Sequence, residues 1–163
     1  SFDGVDDYVS IPHDPSLDLG TGDFSVAFWV RTQGVAWSIL NKGVDGWGGI
    51  DVGFPYPQLE LWLWSPVGWG GFTVPAPFVY GTFHHVAFTV DQDGDSGTRA
   101  YIDGVLVQAF DPSIYGLGTI NNSEELLIGW DGSGGFLDGA VDEIMLFRRV
   151  ITADEAAALA GVR

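Results

Sequence analysis

Apolar residues in this chain recur at every second position almost wherever they cluster, and that period confines it to β-structure. In residues 24–31, Phe24, Val26, Phe28 and Val30 share one side, and Ser25, Ala27, Trp29 and Arg31 share the other. Residues 59–64 repeat the pattern: Leu59, Leu61 and Leu63 oppose Glu60, Trp62 and Trp64. In residues 84–90, Val86, Phe88 and Val90 oppose His85, Ala87 and Thr89. Successive side chains of a strand point to opposite faces, so runs of this kind predict strands half-buried against a second layer.

Turn chemistry separates the runs. Asp103-Gly104 between Tyr101-Ile102 and Val105-Leu106-Val107 predicts a two-residue hairpin, because both residues tolerate the positive φ of a type I′ turn. Residues 93–97 and 131–135 are further Gly- and Asp-rich turns, the second lying between strands at 126–130 and 137–147. About ten to twelve strands are expected, enough for two stacked antiparallel sheets. One helix is predicted near the end. Thr152 and Glu155 have capping-box spacing, Ala156 to Leu159 favour helix, and Gly161 ends it.

With 163 residues, 46% of them hydrophobic, the chain can form one domain with its own core, taken as 1–163. It opens directly into a strand-like run, which suits a module excised from a larger protein. Its 24 glycines follow no three-residue period, so they mark turns and not a collagen repeat. There is no Cys, which excludes disulfides and thiolate metal sites. No apolar run reaches the roughly 20 residues of a membrane span. Six basic residues face 22 acidic ones, a formal net charge of -16. Such a surface repels nucleic acid and anionic membranes. It suits a hard cation such as calcium, or serves solubility alone.

A set of segments, in order, resembles the laminin-G-like, concanavalin A-like jelly-roll family. They are Phe2-Asp3-Gly4-Val5-Asp6-Asp7-Tyr8-Val9, Phe24-Ser25-Val26-Ala27-Phe28-Trp29-Val30, His84-His85-Val86-Ala87-Phe88-Thr89, the Tyr101-Ile102-Asp103-Gly104 hairpin, and Asp138-Gly139-Ala140-Val141-Asp142-Glu143-Ile144 followed by Arg148, Arg149 and the short helix. Phe83 departs from the Trp that often precedes the His-Val-Ala strand, but keeps an aromatic ring. The resemblance implies an all-β, two-sheet antiparallel jelly-roll sandwich with a concave and a convex face and one short C-terminal helix. It implies a module of a larger extracellular or cell-surface protein that binds carbohydrate or protein. It also implies a structural calcium tying the first strand to the last, with Asp3 and Asp142 as side-chain ligands and a backbone carbonyl near Gly43 as a third. The alternative is that Asp3 opens a turn and Asp142 is a hydrogen-bonded strand acid.

Asp91, Asp93 and Asp95 do not form an EF-hand loop, because positions 6 and 12 hold Ser96 and Ile102 in place of Gly and Glu. A solvated turn is expected there.

The seven Trp point to the ligand. Trp62 and Trp64 sit two apart on the face away from the leucines, roughly 6.5–7 Å from each other. Trp29 and His85 also fall on the non-core faces of their strands, where Ser25, Ala27, Ala87 and Thr89 leave room for a groove. Indole faces suit the C–H faces of sugar rings, and Gln58, Glu60 and His85 would serve hydroxyls. Trp37, Trp47, Trp69 and Trp130 are assigned to loops. The alternative is that the Gly-rich stretch 66–77 folds over this face and buries it.

Catalytic patterns are missing. No Glu-x-Asp-x-x-Glu run of the hydrolases on this fold is present, and neither is a nucleophile elbow or a His-Glu-x-x-His zinc run. The expectation is a monomeric, non-catalytic extracellular module that binds a glycan or polysaccharide through Trp62, Trp64, Glu60, Trp69, His85 and Trp29. A protein-interaction, adhesion or spacer module is the alternative.

Overall fold

The computed structural model describes residues 1–43, 49–55, 58–75, 78–94, 97–133 and 135–161. Twelve strands in these residues form two six-stranded antiparallel sheets. The first contains β1 (Phe2–Asp3), β12 (Asp138–Phe147), β3 (Phe24–Thr32), β8 (His84–Val90), β9 (Thr98–Ile102) and β10 (Val105–Phe110), in that spatial order. The second contains β2 (Val9–Ile11), β11 (Leu126–Ile128), β4 (Ala36–Gly43), β5 (Gly49–Phe54), β6 (Gln58–Ser65) and β7 (Gly68–Pro75). This is the jelly-roll sandwich that the alternation and the resemblance predict.

The inward rows interlock as one core. Phe24, Val26, Phe28 and Val30 of β3 and Val86, Phe88 and Val90 of β8 come from one side. Ile50, Val52 and Phe54 of β5, the three β6 leucines, and Phe72 and Val74 of β7 come from the other. Leu59, Leu61 and Leu63 have no exposed surface. Each such side chain contributes about 1.5–3 kcal/mol on burial, so the core decides which face of every strand is left for function.

The Asp103-Gly104 turn forms as predicted, with φ of 50° and 77°. Asp103 is held from both sides of its carboxylate: His84 Nδ1 lies 2.8 Å from Oδ2, and His85 N donates to Oδ1 at 2.9 Å. The helix α1 (Ala153–Ala160) carries the predicted capping box. It packs on the outward face of the first sheet, where Ala156 and Ile151 meet Ala27, Ala87 and Tyr101. Ser25 fixes the approach, donating to the Arg149 carbonyl at 2.8 Å and accepting from Ile151 N at 3.0 Å. Arg149 then pairs bidentately with Glu155 at 2.7 and 2.8 Å.

The single lysine is internal. Lys42 is 4% exposed. Its ammonium donates to Asn122 O, Asn122 Oδ1 and Glu124 O at 3.2, 3.1 and 2.8 Å, and its own carbonyl accepts from Asn122 Nδ2. Burial pushes its pKa down, opposed by Asp18 and Glu124. None of the described helices is long and apolar enough to cross a membrane.

Candidate functional site: an aromatic trough on the second sheet

The outward rows of the second sheet differ sharply in height. In β5, Ile50, Val52 and Phe54 face the core, so Gly49, Asp51 and Gly53 face out. In neighbouring β6 the outward row is Glu60, Trp62 and Trp64. Register sets Gly53 against Glu60, Asp51 against Trp62 and Gly49 against Trp64. A strand bare except for one carboxylate therefore runs beside one carrying two indoles, and the step between them is a trough.

Its other wall comes from β4. A register shift between Ala36 and Leu40 bulges β4 and lays the Trp37 carbonyl against Gly53. A Cβ at Gly53 would collide with that carbonyl, so the bulge demands glycine there. The trough has a volume of about 320 Å³, within the range of about 300–1,000 Å³ typical of small-ligand pockets. A second depression of about 410 Å³ adjoins it, shares Asn41, Asp131 and Ser133, and runs past Trp130 to Glu124 and Glu125.

The tryptophans form a platform. The rings of Trp62 and Trp64 stack with centroids 6.0 Å apart and planes 14° from parallel. Trp69, directly across the ladder from Trp64, lies 5.6 Å from Trp62 and is 60% exposed. Trp62 rests on Gly71, whose missing side chain leaves space for the indole. Its Nε1 donates to Glu60 Oε2 at 2.8 Å, which holds the ring in place. Ser38 Oγ donates to Asp51 Oδ1 at 2.6 Å, so the floor carboxylate is also oriented. Trp37 stands 64% exposed at the opposite rim. Flat apolar faces beside oriented carboxylates can stack on a ring and accept hydrogen bonds from its hydroxyls.

Of the residues predicted for ligand binding, Glu60, Trp62, Trp64 and Trp69 come together here. Trp69 belongs to β7 and not to a loop: residues 68–75 pair with β6 along their whole length and do not fold over the face. Trp37 likewise lies in β4, and Trp47 lies outside the described residues.

Trp29 and His85 are not part of this site. They pair with each other in β3 and β8 of the first sheet, on its outward face and across the sandwich from the trough. They are 9% and 2% exposed. The room predicted above Ala27 and Ala87 is filled by α1. Burial lowers the pKa of His85, opposed by Asp103.

The predicted calcium ligands do not share a site either. Asp3 pairs with Asp138, four residues along β12 from Asp142, a separation of about 13 Å at about 3.3 Å per residue. Gly43 is in the other sheet, opposite Gly49. Asp3 Oδ1 accepts from Val5 N, and Asp142 Oδ1 accepts from Glu143 N at a bulge where Glu143 has φ of 50°. These are the turn and strand roles left open by the sequence. Three residues so placed do not fit one ion whose oxygens must lie about 2.3–2.6 Å away. Among the described residues, Asp3, Asp6 and Asp7 form one close carboxylate group and Asp23, Asp91 and Asp93 another. A hydrogen bond to Asp93 pushes up the Asp91 pKa. Asp95 lies outside the described residues.

Asp51, Gly53, Asn41 and Asp131 were not predicted, and Trp37 was expected only as a loop aromatic. The signal for the first two is the alternation in residues 49–54, which marks Gly, Asp and Gly as the outward row. Trp37 and Asn41 were hidden by the bulge, which breaks the period of two.

Comparison with known proteins places the chain. A search of curated proteins found no match. Among solved structures, the binding domain of botulinum neurotoxin serotype G superposes with a TM-score of 0.76 at 14% identity, covering 99% of this chain and 46% of that one. A putative carbohydrate binding protein from Bacteroides ovatus gives 0.71 at 17% identity, covering 96% and 45%. Domain 4 of an extracellular arabinanase from Geobacillus stearothermophilus, solved with arabinotriose, gives 0.68 at 17% identity, covering 98% and 87%. The chain thus spans less than half of the first two, and these likenesses establish the fold. The family description matches residues 3–157, nearly the whole of both sheets and most of α1: the chain belongs to the concanavalin A-like lectin/glucanases superfamily, in its laminin G branch.

Proposed function

We propose that this chain is a non-catalytic, glycan-binding module of an extracellular protein, and that it holds its ligand in the trough beside Trp62, Trp64 and Trp69. The observation that carries the reading is the platform itself. Three indoles are gathered on one outward face, one of them 60% exposed and another locked by Glu60. Large exposed aromatics beside a depression mark an interaction surface. The arabinanase domain solved with arabinotriose and the putative carbohydrate binding protein support a saccharide as the ligand.

Glu60 is read as a positioning group and not a proton donor, because its oxygens accept from Trp62 Nε1 and Thr73 Oγ1. The reading does not require calcium. The test is calorimetric titration with a panel of oligosaccharides, with and without chelator, on the wild type, Trp62→Ala, Trp69→Ala and Trp29→Ala. Binding that survives chelation and is lost in the first two variants, but kept in a folded Trp29→Ala, is expected. Binding lost in Trp29→Ala and unaffected by the other two would move the site to the first sheet.

A protein-contact module is the second reading, favoured by the edge strand β10. Val105, Leu106 and Val107 are 65%, 49% and 39% exposed in a row on it. An exposed apolar edge is a template for pairing with another chain.

A further inference from the structure

Carboxylates occur on both sheets, but the basic residues among the described ones are unevenly placed. Among the described residues, Arg31 and Arg99 stand in β3 and β9 of the first sheet and Arg148 and Arg149 directly follow its β12, while Arg163 lies outside the described residues. Lys42 is internal, its ammonium held by Asn122 and the Glu124 carbonyl. The trough and its neighbour are lined by Asp51, Glu60, Asp131, Glu124 and Glu125, with no lysine or arginine among the lining residues. The charged residues that line the trough and its neighbour are therefore all acidic.

The carboxylates stand close to the indoles. Asp51 is directly opposite Trp62 in the ladder, and Glu60 is bonded to its Nε1. Indole faces attract cations, and carboxylates at the edge of the same faces add to that attraction. Between walls of low dielectric the effect is larger than on open surface, and an anion pressed into the same place must lose water beside like charges.

We propose, resting on the glycan-binding reading, that the trough selects saccharides bearing a protonated amine, such as 2-amino-2-deoxyhexose units, and rejects those bearing carboxylate or sulfate. The ammonium sits between Asp51 and Glu60 over the Trp62 face, and the ring lies along Trp64.

The experiment compares three probes of equal length by calorimetry at low and high salt: a glucosamine oligomer, its N-acetylated form, and a uronic acid oligomer. The glucosamine oligomer is expected to bind about tenfold or more tightly than the acetylated one, with the advantage falling as salt rises. The uronic acid oligomer is expected not to bind. The double variant Asp51→Asn/Glu60→Gln, which keeps the acceptors for Ser38 and Trp62, should erase the advantage of the amine over the acetamide. Asp154→Asn, on α1 across the sandwich, should leave the advantage intact. Equal binding of amine and acetamide overturns the proposal, as does an advantage that survives the double variant or falls equally with Asp154→Asn. If only other neutral glycans bind, this proposal fails and the glycan-binding reading stands. If no saccharide binds, both fail.

Discussion

One methyl group tests the platform. Gly71 has an ordinary backbone conformation, so Gly71→Ala adds no strain there and reduces unfolded-state freedom by about 0.5–1 kcal/mol. The new carbon, however, would lie 2.6 Å from both Cε3 and Cη2 of Trp62, and closer to Cζ3. Carbon atoms need about 3.5–4.0 Å, so the indole must move by about 1 Å or change rotamer. Either response breaks the bond to Glu60, worth about 1.5–3 kcal/mol when fully buried and less in this part-exposed place. Set against the gain from alanine, the stability change is about 1 kcal/mol. Binding suffers more. If a ligand ring covers roughly 70 Å² of indole at about 25 cal/mol per Å², losing that face costs about 1.8 kcal/mol, or about twentyfold in affinity. The assay is urea unfolding, circular dichroism for the exciton signal of the stacked Trp62 and Trp64, and titration with a saccharide that binds the wild type. The expected outcome is near-wild-type stability, loss of the exciton signal and weakened binding. An unchanged exciton signal with unchanged affinity would refute the reasoning, because Trp62 would then be neither seated on Gly71 nor in contact with the ligand.

Two further outcomes follow from the first sheet. Gly104→Ala combines a φ of +77° with a methyl 2.9 Å from Ala157 Cα, whereas Gly116→Ala has φ of +57° in open space; urea unfolding should show a loss of about 1 kcal/mol for Gly116→Ala and about 1–3 kcal/mol more for Gly104→Ala, and equal losses would mean that α1 does not clamp the hairpin. Because burial lowers the pKa of His85 from 6.5, the unfolded chain binds its proton first as pH falls; the His85 contribution to stability should be constant above about 6.5 and be lost below it, and a His85→Gln variant that keeps the same acid decline in urea midpoint would exclude His85 as the cause.

Local rules in the sequence reached far, and their limits are physical. Alternation in residues 59–64 fixed which side of β6 is leucine and which is tryptophan, because hydrophobic burial acts on every strand alike. Asp103-Gly104 and Thr152–Glu155 were legible because turns and caps depend on neighbouring residues. What alternation cannot say is which sheet a strand joins. Trp29, His85, Trp62 and Trp64 all read as outward, yet the two sheets have two outward faces, and α1 covers part of one. Asp3 and Asp142 failed for a related reason. First and last strands do pair, but register sets Asp3 against Asp138, and register comes from packing along the whole sheet. The Gly-rich stretch that became β7 was read as a loop, although Trp69, Gly71 and Thr73 alternate with Gly70, Phe72 and Val74. Its glycines leave the space that Trp62 occupies.

The internal position of Lys42 has a chemical consequence. Amine-directed reagents attack the free base, and in the native protein this amine is shielded at 4% exposure and engaged with three oxygens. Acylation of the only lysine should therefore proceed through molecules in which β4 and the 122–124 segment have come apart. Its rate under trace labelling would count those openings one molecule at a time, free of background from other lysines. Because the same segment carries Glu124 to the rim of the second depression, a ligand seated there would slow the labelling in proportion to its occupancy. The residue that contributes least to the surface thus offers a covalent clock for events on it.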